Sequence, residues 1–294
     1  MSKYVLLTGA TGLVGRYLLR DLLLRGVNLA LVLRPTEKET IQERVEGILQ
    51  FWEKQLGKTL PRPVCWEGDV SEPNLGLNEE AQQWVETHCD SLIHNAAVLV
   101  FYGSDRAGEP WRTNLEGTRH TVDFAQRVGI KNFHYVSTAY VGGCREDLCR
   151  EDELDVGQKF RNDYEHSKLL AEKLVREATG FEKTTVYRPA IIAGDSVTGY
   201  TNTYHGLFAY LKLICLLVRN TPPQPDGRIH TPLRMNITGD EPRNIVPVDW
   251  VSACLTHLFC TAAAHGGTYN LAPEHRMTAK DMIEAGYTYF NSYG

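Results

Sequence analysis

Short runs of β-branched and other apolar residues recur from residue 4 to about residue 190, and segments with helical spacing separate them. The apolar runs are typical of buried strands, and they read YVLL, NLALVL, RPVCW, SLIH, NFHYVS and TTVYR. The helical patterns between them cover residues 13–25, 38–56, 112–128 and 161–178. Because strands that alternate with helices pair in parallel, this pattern predicts an α/β fold with a doubly wound, mostly parallel sheet of the Rossmann type.

The pattern of the chain changes after Arg188 and Pro189. Residues 194–243 are rich in Gly, Pro, Thr and Asn around one apolar helix at about 205–218, and we interpret them as a lobe that covers the substrate. The apolar helix is most simply a core helix, although its spacing would also suit the lining of an acyl channel. A smaller, mainly helical substrate lobe is therefore expected beside the sheet domain.

Two later segments predict a return to the sheet. They are NIVPV (244–248), which precedes a helix starting near Asp249, and GTYNLA (267–272). The two lobes are thus expected to be discontinuous in sequence. The predicted boundaries are 1–193 for the Rossmann domain, 194–243 for the substrate lobe, 244–273 for the return to the Rossmann domain and 274–294 for the C-terminal part of the substrate lobe.

Composition and charge narrow the classes of function. Of the 294 residues, 43% are hydrophobic, and Lys plus Arg total 31 against 36 Asp plus Glu, with a formal net charge of -5. Like charges do not gather in any block, so we expect no nucleic-acid partner. The apolar stretch Gly206–Val218 contains Lys212 and is shorter than the roughly twenty residues that a bilayer span needs. We therefore expect no membrane span.

The cysteines favour a reducing compartment. There are seven, at positions 65, 89, 144, 149, 215, 254 and 260, with no Cys-x-x-Cys pair. Such scatter predicts neither a metal site nor a disulfide framework. The first residues run from MSK directly into an apolar strand, so no secretory signal is expected, and we predict a cytoplasmic protein.

A glycine-rich loop lies between the first strand and the first helix, in the segment VLLTGATGLVGRYLL. Gly9, Gly12 and Gly15 allow a tight turn, and the helix N-terminus offers backbone N–H groups and partial positive charge to a pyrophosphate. The alternative is a turn whose glycines serve only backbone bends. The position between strand and helix favours dinucleotide binding, with contacts also from the remaining loop residues Thr11, Leu13 and Val14.

The end of the second strand carries an arginine where NAD-binding proteins usually have a carboxylate. Arg34 lies nineteen residues beyond Gly15, and a guanidinium there suits the 2′-phosphate of NADPH. Arg44 is placed to assist. The alternatives are a solvated charge at the end of the strand for Arg34 and an ordinary helix-surface charge for Arg44. We expect NADPH as the cofactor, with NADH the weaker alternative.

Two further strand ends are predicted to border the cofactor. Asp69, followed by Val70, could accept a hydrogen bond from the adenine amino group, or it could simply cap a turn. After the fourth strand, small residues would let the backbone pass close to the cofactor, while His94 is expected to be a packed strand-end histidine. The residues concerned are Asn95, Ala96 and Ala97.

The candidate chemical centre combines the predicted helix 161–178 with the end of the fifth strand. Tyr164 and Lys168 are four residues apart and therefore lie on one helical face. A nearby ammonium would make the phenol a usable acid at neutral pH. Ser137 and Thr138 end the strand, and either hydroxyl could hydrogen-bond a substrate oxygen.

These segments together resemble the extended short-chain dehydrogenases/reductases over residues 4–273. Within that family the chain is most similar to the thioester reductase and fatty acyl-CoA reductase branch, which has a male-sterility type NAD-binding domain. The segments that carry the resemblance are TGATGLVG (8–15), IHNAA (93–97), NLEGT (114–118), YVSTAYV (135–141), YEHSK (164–168), YRPAIIAGDSVTG (187–199) and NIVPVDWV (244–251).

The resemblance implies roles for particular residues. Thr138, Tyr164 and Lys168 correspond to the family's catalytic Thr-Tyr-Lys positions, Lys168 would also hold the nicotinamide ribose, and Asn114 would have a mainly structural role near the site. Within the segment YRPAIIAGDSVTG we expect cofactor contacts from Arg188 and Pro189.

The same resemblance implies a reaction. A thioester on CoA or on a carrier would be reduced to an aldehyde by hydride transfer. Sugar-nucleotide dehydratases of this superfamily carry Asp-Glu after the catalytic Thr, whereas Ala139 and Tyr140 follow here, so dehydration is disfavoured. Cys144 lies close to this strand but without a paired His, and we expect a structural role for it.

Several alternatives stay open at this point. One is a sugar-nucleotide epimerase or a simple aldehyde or ketone reductase, and another is a protein that senses NADPH without turnover. Two forms of assembly are also open, a homodimer or a part of a biosynthetic assembly.

Overall fold

A computed structural model describes residues 3–204, 207–229 and 237–292 of the chain. Within these residues one seven-stranded sheet organises the molecule, in the order β3-β2-β1-β4-β5-β6-β10, and all its strands are parallel. The order reverses between β1 and β4, which is the switch point of a doubly wound fold. Its strands are β1 (Tyr4–Thr8), β2 (Leu29–Leu33), β3 (Val64–Glu67), β4 (Cys89–His94), β5 (Asn132–Val136), β6 (Lys183–Pro189) and β10 (Thr268–Leu271).

Helices cover both faces of this sheet, and a small two-stranded sheet of β7 (Ile191–Ala193) and β9 (Ile245–Pro247) lies beside it. A second pair joins β8 (Pro242–Arg243) to β11 (Met277–Thr278). The helices are α1 (Leu13–Leu24), α2 (Ile41–Leu56), α3 (Glu79–His88), α4 (Gly117–Arg127), α5 (Asp163–Glu177), α6 (Leu207–Asn220), α7 (Val248–Cys260) and α8 (Ala279–Ser292).

The hydrophobic core consists of two layers, one on each face of the sheet. Leu7 and Leu31 face the layer that includes α1, α2 and α7, while Leu6 and Val32 face the layer that includes α3, α4 and α5. Successive strand residues therefore point to opposite faces and are buried on both. This explains why the strands are continuous apolar runs. Each fully buried leucine contributes about 1.5–3 kcal/mol to folding.

The Rossmann-type α/β class predicted from the sequence is confirmed, with one correction to the strands. GTYNLA does return to the main sheet, where β10 pairs with β6. NIVPV does not, because β9 pairs with β7 in the separate small sheet. The chain leaves the main sheet immediately after Pro189, so the extended segment Ile191–Ala193 is available as a partner for β9. An apolar run in the sequence predicts a strand, but it does not show which other strand it pairs with.

The predicted substrate lobe is described in part. Its apolar helix is α6, and residues 205–206 and 230–236 of the lobe lie outside the described residues. Helix α8 and the β8–β11 pair complete the part that the structure describes. The boundaries given above for the two lobes stay a prediction.

Candidate active site

The glycine loop joins β1 to α1 beneath the end of β4. Gly9 has a φ of +72°, and a Cβ there would lie 2.6 Å from the backbone nitrogen of Ala96. A Cβ at Gly15 would lie 2.0 Å from the carbonyl oxygen of Gly9. Packing within the protein therefore requires both glycines. Gly12 differs, because a Cβ there would meet only the Gly9 carbonyl oxygen, at an ordinary 3.6 Å, and would otherwise point away from the protein.

Helix α1 begins directly after Gly12, which is exposed and provides no side-chain cap. Its first N–H groups therefore lack a capping side chain, and the first turn contains no acidic residue. These donors and the exposed glycine fit the pyrophosphate of a dinucleotide. The first turn itself starts with Leu13 and Val14, both half-buried beside the loop.

Two arginines and a carboxylate surround the end of β2. The guanidinium of Arg34 lies 3.5 Å from a carboxylate oxygen of Asp69 and is 61% exposed. Arg44 donates hydrogen bonds to the carbonyl oxygen of Arg34 and, at 3.2 Å, to the hydroxyl of Thr11. The predicted cofactor residues Arg34, Arg44, Asp69 and Thr11 therefore meet at one edge of the glycine loop.

Asp69 is fixed by its own turn as well. Its Oδ1 accepts hydrogen bonds from the backbone nitrogen and the hydroxyl of Ser71, at 2.9 and 2.8 Å. Burial raises the pKa of Asp69, but the Ser71 bonds and the Arg34 charge outweigh burial, and the net pKa is lowered. The carboxylate thus combines the predicted turn cap with a partner for Arg34. Val70 is buried and packs against Gly117 of α4.

The end of β4 approaches the glycine loop through hydrogen bonds. The hydroxyl of Thr8 accepts from the backbone nitrogens of Asn95 and Ala96, both at 3.2 Å, and the Asn95 side chain donates to the Gly9 carbonyl oxygen at 3.0 Å. Ala97 is exposed at the same edge. The backbone of Asn95 and Ala96 thus lies directly against the glycine loop, and the contact of these residues with the cofactor stays a prediction.

Tyr164 lies in the first turn of α5, whose N-terminus is capped by Asn162 through a 2.9 Å bond from the backbone nitrogen of Glu165. The hydroxyl of Thr138 acts on the Tyr164 phenol and lowers its pKa, but burial has the larger effect and raises that pKa to about 12. Tyr164 therefore carries its proton at neutral pH. The structure brings Thr138 and Tyr164 together, as predicted.

Lys168 is buried, at 2% exposure, one helical turn after Tyr164. Its Nζ donates to the hydroxyl of Tyr135 at 2.7 Å and to the carbonyl oxygen of Val136 at 2.9 Å. Burial lowers the pKa of Lys168 to about 7, although the negative charge of Glu172 opposes this. These two bonds hold the Lys168 amino group at the end of β5, next to Thr138.

The side chains of Ser137 and Arg188 contact Glu172 and not the Thr138–Tyr164 pair. The Ser137 hydroxyl donates to Glu172 at 2.6 Å, and the Arg188 guanidinium donates to the same carboxylate at 2.8 Å and to the backbone oxygens of Arg150 and Glu153. Ser137 and Glu172 are buried, as is Arg188. These buried bonds connect the end of β5 and strand β6 to helix α5. Only the carbonyl oxygen of Pro189 faces the centre, where it accepts from Thr138 at 3.4 Å.

Asn114 connects the centre to the loop after β4. Its side chain accepts from the backbone nitrogen of Val98 at 2.9 Å and donates to the Val98 carbonyl oxygen and to the hydroxyl of Ser167. This supports the structural role that the resemblance implied. The same loop places the ring of Phe101 at the edge of Tyr164, with centroids 6.1 Å apart. Cys144 is exposed, and its backbone nitrogen donates to the Lys159 carbonyl oxygen.

Sequence reasoning missed three residues around the site. Tyr135 and Glu172 are buried polar partners of Lys168 and Ser137, and Phe101 borders Tyr164. Glu172 lies four residues after Lys168 on the same helix, so helical spacing could have pointed to it. Tyr135 looked like an ordinary aromatic strand residue, and Phe101 lies in a loop without a regular pattern.

A glycine loop at the switch point of a parallel sheet, with Thr138, Tyr164 and Lys168 beyond it, defines an extended short-chain dehydrogenase/reductase domain. A family model described as male sterility protein, of the NAD-binding type, matches residues 7–255. The chain belongs to this family. It accordingly has a nicotinamide dinucleotide cofactor, whose pyrophosphate fits the loop around Gly12.

Solved and curated relatives agree with this assignment. The structure of the terminal R domain from the myxalamid PKS-NRPS biosynthetic pathway is 31% identical, with a TM-score of 0.79, over 100% of this chain and 70% of that one. The L-2-aminoadipate reductase large subunit of Penicillium chrysogenum is 30% identical over 84% of this chain and 18% of its own length. A non-canonical nonribosomal peptide synthetase of Aspergillus hancockii is 26% identical over 95% of this chain and 27% of its own length.

The chain thus spans well under two thirds of the length of these curated relatives. Among residues 3–204, 207–229 and 237–292, no helix is both long enough and apolar enough to cross a membrane.

Proposed function

We propose that this chain is an NADPH-dependent reductase domain that converts an acyl thioester, carried on CoA or on a carrier protein, into an aldehyde. The observation that carries the proposal is the Thr138–Tyr164 pair, which is bordered by the apolar segment Leu99–Tyr102. The 31% identity to a terminal R domain supports it. The proposed activity is that of this chain as one reductase domain.

The residues of the site suit carbonyl reduction. Reduced nicotinamide, when bound, supplies the hydride. Thr138 and Tyr164 donate hydrogen bonds to the carbonyl oxygen, which becomes an oxyanion as the carbon is reduced. Tyr164 then gives up the proton that its raised pKa of about 12 keeps in place at neutral pH. The resulting hemithioacetal expels the thiol and leaves an aldehyde, so no covalent cysteine is required.

Lys168 supports this proton transfer electrostatically. Its ammonium is held at the end of β5 by Tyr135 and Val136. A positive charge there favours the phenolate that remains after Tyr164 has given up its proton. An ammonium has three N–H bonds, and the described residues account for two of them, so one is available to the ribose of the nicotinamide.

The choice of NADPH depends on the end of β2. Arg34 is largely exposed, and Arg44 holds the Arg34 carbonyl oxygen and Thr11 beside it. Two guanidinium groups at this position suit a 2′-phosphate, whereas the ribose hydroxyls of NADH usually require a carboxylate. Asp69 offers one, but Arg34 neutralises it in part.

An acyl substrate fits the surroundings better than a sugar nucleotide. Leu99, Val100 and Phe101 are exposed at 36–38% in the loop next to Tyr164. Within the part of the lobe that the structure describes, α6 also exposes Leu213 and Leu216. An apolar border favours an acyl chain over a nucleoside diphosphate.

The test is a parallel assay of NADPH consumption with acyl-CoA, acyl-pantetheine, a free aldehyde and a UDP-sugar. We expect oxidation of NADPH with the thioesters, release of free thiol and formation of aldehyde. The Tyr164→Phe variant is the control, since it retains the ring but has no proton to give. Turnover of the UDP-sugar alone would refute the proposal, and turnover of the aldehyde alone would establish a simple carbonyl reductase.

We further propose that the domain works on a carrier-bound substrate within a biosynthetic assembly in the cytoplasm. The nonribosomal peptide synthetase among its relatives supports the assembly, and seven free thiols suit a reducing compartment. Light scattering distinguishes this from a homodimer, which would double the mass of the isolated chain. A carrier protein loaded with the acyl group should then be a better substrate than the same acyl-CoA.

A further inference from the structure

Lys168 is held by one aromatic side chain in two ways. Its Nζ lies 2.7 Å from the hydroxyl of Tyr135 and 4.3 Å from the centroid of the Tyr135 ring. Tyr135 is fully buried in β5, a central strand of the sheet. A hydrogen bond to a charged donor and a contact with an aromatic ring both favour the ammonium form over the amine. Tyr135 therefore constrains both the position and the charge of the lysine.

Tyr135 is itself fixed by polar neighbours that are buried. The ring of His94 stacks on the ring of Tyr135, with centroids 5.7 Å apart, and Thr118 lies beside the Tyr135 phenol. The Nε2 of His94 is 3.1 Å from the Thr118 hydroxyl, and its Nδ1 is 2.8 Å from the Thr8 hydroxyl. Buried groups thus link the lysine to Thr8, which directly precedes Gly9 of the cofactor loop.

The hydrogen bonds of this cluster are satisfied by one arrangement of protons. Burial lowers the pKa of His94 to about 3, so its ring is neutral and carries a single N–H. The Thr118 hydroxyl donates to the Asn114 carbonyl oxygen at 2.7 Å, so it must accept from His94 Nε2. The Nδ1 of His94 then accepts from Thr8, whose oxygen accepts from the amides that follow β4. The protons of His94, Thr118 and Thr8 therefore each have one acceptor.

We propose that Tyr135 is a positioning residue for Lys168. It holds the ammonium at the end of β5, and its buried neighbours connect this position to the cofactor loop. The inference rests on the proposed function, because it assigns Tyr135 a role in the same reaction. The titratable groups that face Lys168 are Tyr135 from β5, His94 from β4 and Glu172 from its own helix, and Tyr164 of that helix faces Tyr135. Glu172 is shared with Arg176 and Arg188, and Tyr135 alone among the four bonds to Nζ.

The test compares Tyr135→Phe with Tyr187→Phe. Tyr187 is also buried in a central strand, and its hydroxyl lies 2.9 Å from Nδ1 of His134, so it is a matched tyrosine–histidine pair away from Lys168. In the cofactor-free protein, the titration of Lys168 is followed by NMR of labelled lysine side chains. The signal is assigned by its absence in Lys168→Met. In the assay, kcat and KM are measured with an acyl thioester across pH.

Loss of the phenol hydroxyl removes a hydrogen-bond acceptor from the Lys168 ammonium, so the neutral amine becomes more stable relative to the ammonium. We expect the Lys168 titration of Tyr135→Phe to move down by about one pH unit, together with the high-pH limb of the kcat profile. At a pH above that limb kcat should fall about ten-fold, while KM for the thioester stays the same. Tyr187→Phe should leave the Lys168 titration and the limb where they are.

An unchanged Lys168 titration in Tyr135→Phe would overturn the inference, whatever happens to kcat. A chain that oxidises no NADPH with thioesters would refute the proposed function only, because the NMR titration needs no cofactor and still tests Tyr135. If Tyr135→Phe does not fold, 3-fluorotyrosine at position 135 keeps the shape and weakens the acceptor. It should then move the Lys168 titration in the same direction by a smaller amount, and no movement would again overturn the inference.

Discussion

Replacing Arg34 with glutamine should weaken the binding of NADPH and leave that of NADH nearly unchanged. The Arg34 side chain is 61% exposed at the edge of the glycine loop, and it makes an ion pair with Asp69, at 3.5 Å. It is therefore free to turn toward a 2′-phosphate. NADH has no phosphate at that position, so removal of the guanidinium breaks no charged contact and should leave the affinity for NADH nearly unchanged.

The size of the effect follows from the exposure of Arg34. A hydrogen bond to a charged group contributes about 1.5–3 kcal/mol, and exposure to solvent places Arg34 at the lower end. About 1.4 kcal/mol corresponds to a ten-fold change in Kd, so NADPH affinity should fall about ten-fold. Because exposed charges are screened by salt, the difference between the wild type and Arg34→Gln should shrink as ionic strength rises.

The assay is calorimetric titration of the wild type and Arg34→Gln with both cofactors, at low and at high salt. Arg112→Gln is the control, because Arg112 makes an exposed ion pair with Glu72, at 2.9 Å, that is separate from the bonds of the glycine loop. Arg112→Gln should leave both affinities unchanged. Equal losses of NADPH and NADH affinity in Arg34→Gln would refute the assignment of Arg34 to the phosphate.

Three other outcomes are expected. Tyr164→Phe should lower kcat by about 10²–10⁴-fold in the thioester assay, with NADPH affinity kept in a calorimetric titration; unchanged kcat would rule out proton transfer from this residue. Gly15→Ala should cost about 3 kcal/mol or more in urea unfolding, since its Cβ would lie 2.0 Å from the Gly9 carbonyl oxygen, whereas Gly47→Ala, with open space, should cost nothing. Because an unfolded histidine takes up a proton below about pH 6.5 and folded His94 does so only near 3, His94 should lower the free energy of unfolding by about 1.4 kcal/mol per pH unit between them. His134, whose pKa is also lowered to about 3, should add a similar slope, so His94→Gln should remove about half of their joint slope.

The strands were predictable because their physical cause is visible in the sequence. A strand buried on both faces must be apolar throughout, and β2 shows this in its sequence LALVL, with every residue buried. Helix α3 was missed for the opposite reason. It buries only Ala81 and Val85 of its ten residues, so the apolar spacing from which helices are recognised is too sparse.

The candidate site was predictable in its composition but less so in its contacts. Helical spacing, which is local, identified Tyr164 and Lys168. The end of the strand offered Ser137 or Thr138, and only the resemblance to the family selected Thr138. Ser137 and Thr138 follow directly after β5, and both contact helix α5. Thr138 faces the Tyr164 phenol, whereas Ser137 donates to Glu172, two turns further along that helix. The sequence offered both hydroxyls, and only the fold decides which one faces the centre.

The buried polar groups around Lys168 argue that this arrangement serves chemistry as well as stability. Removing a lysine and a histidine from water is costly, and apolar residues of similar size would make a more stable core. Such groups persist at low cost only when their hydrogen bonds are complete. Both ring nitrogens of His94 have partners, whereas Nε2 of the other buried histidine, His134, has none among the described residues. The more complete cluster is the one that ends at Lys168, whose charge the proposed proton transfer from Tyr164 requires.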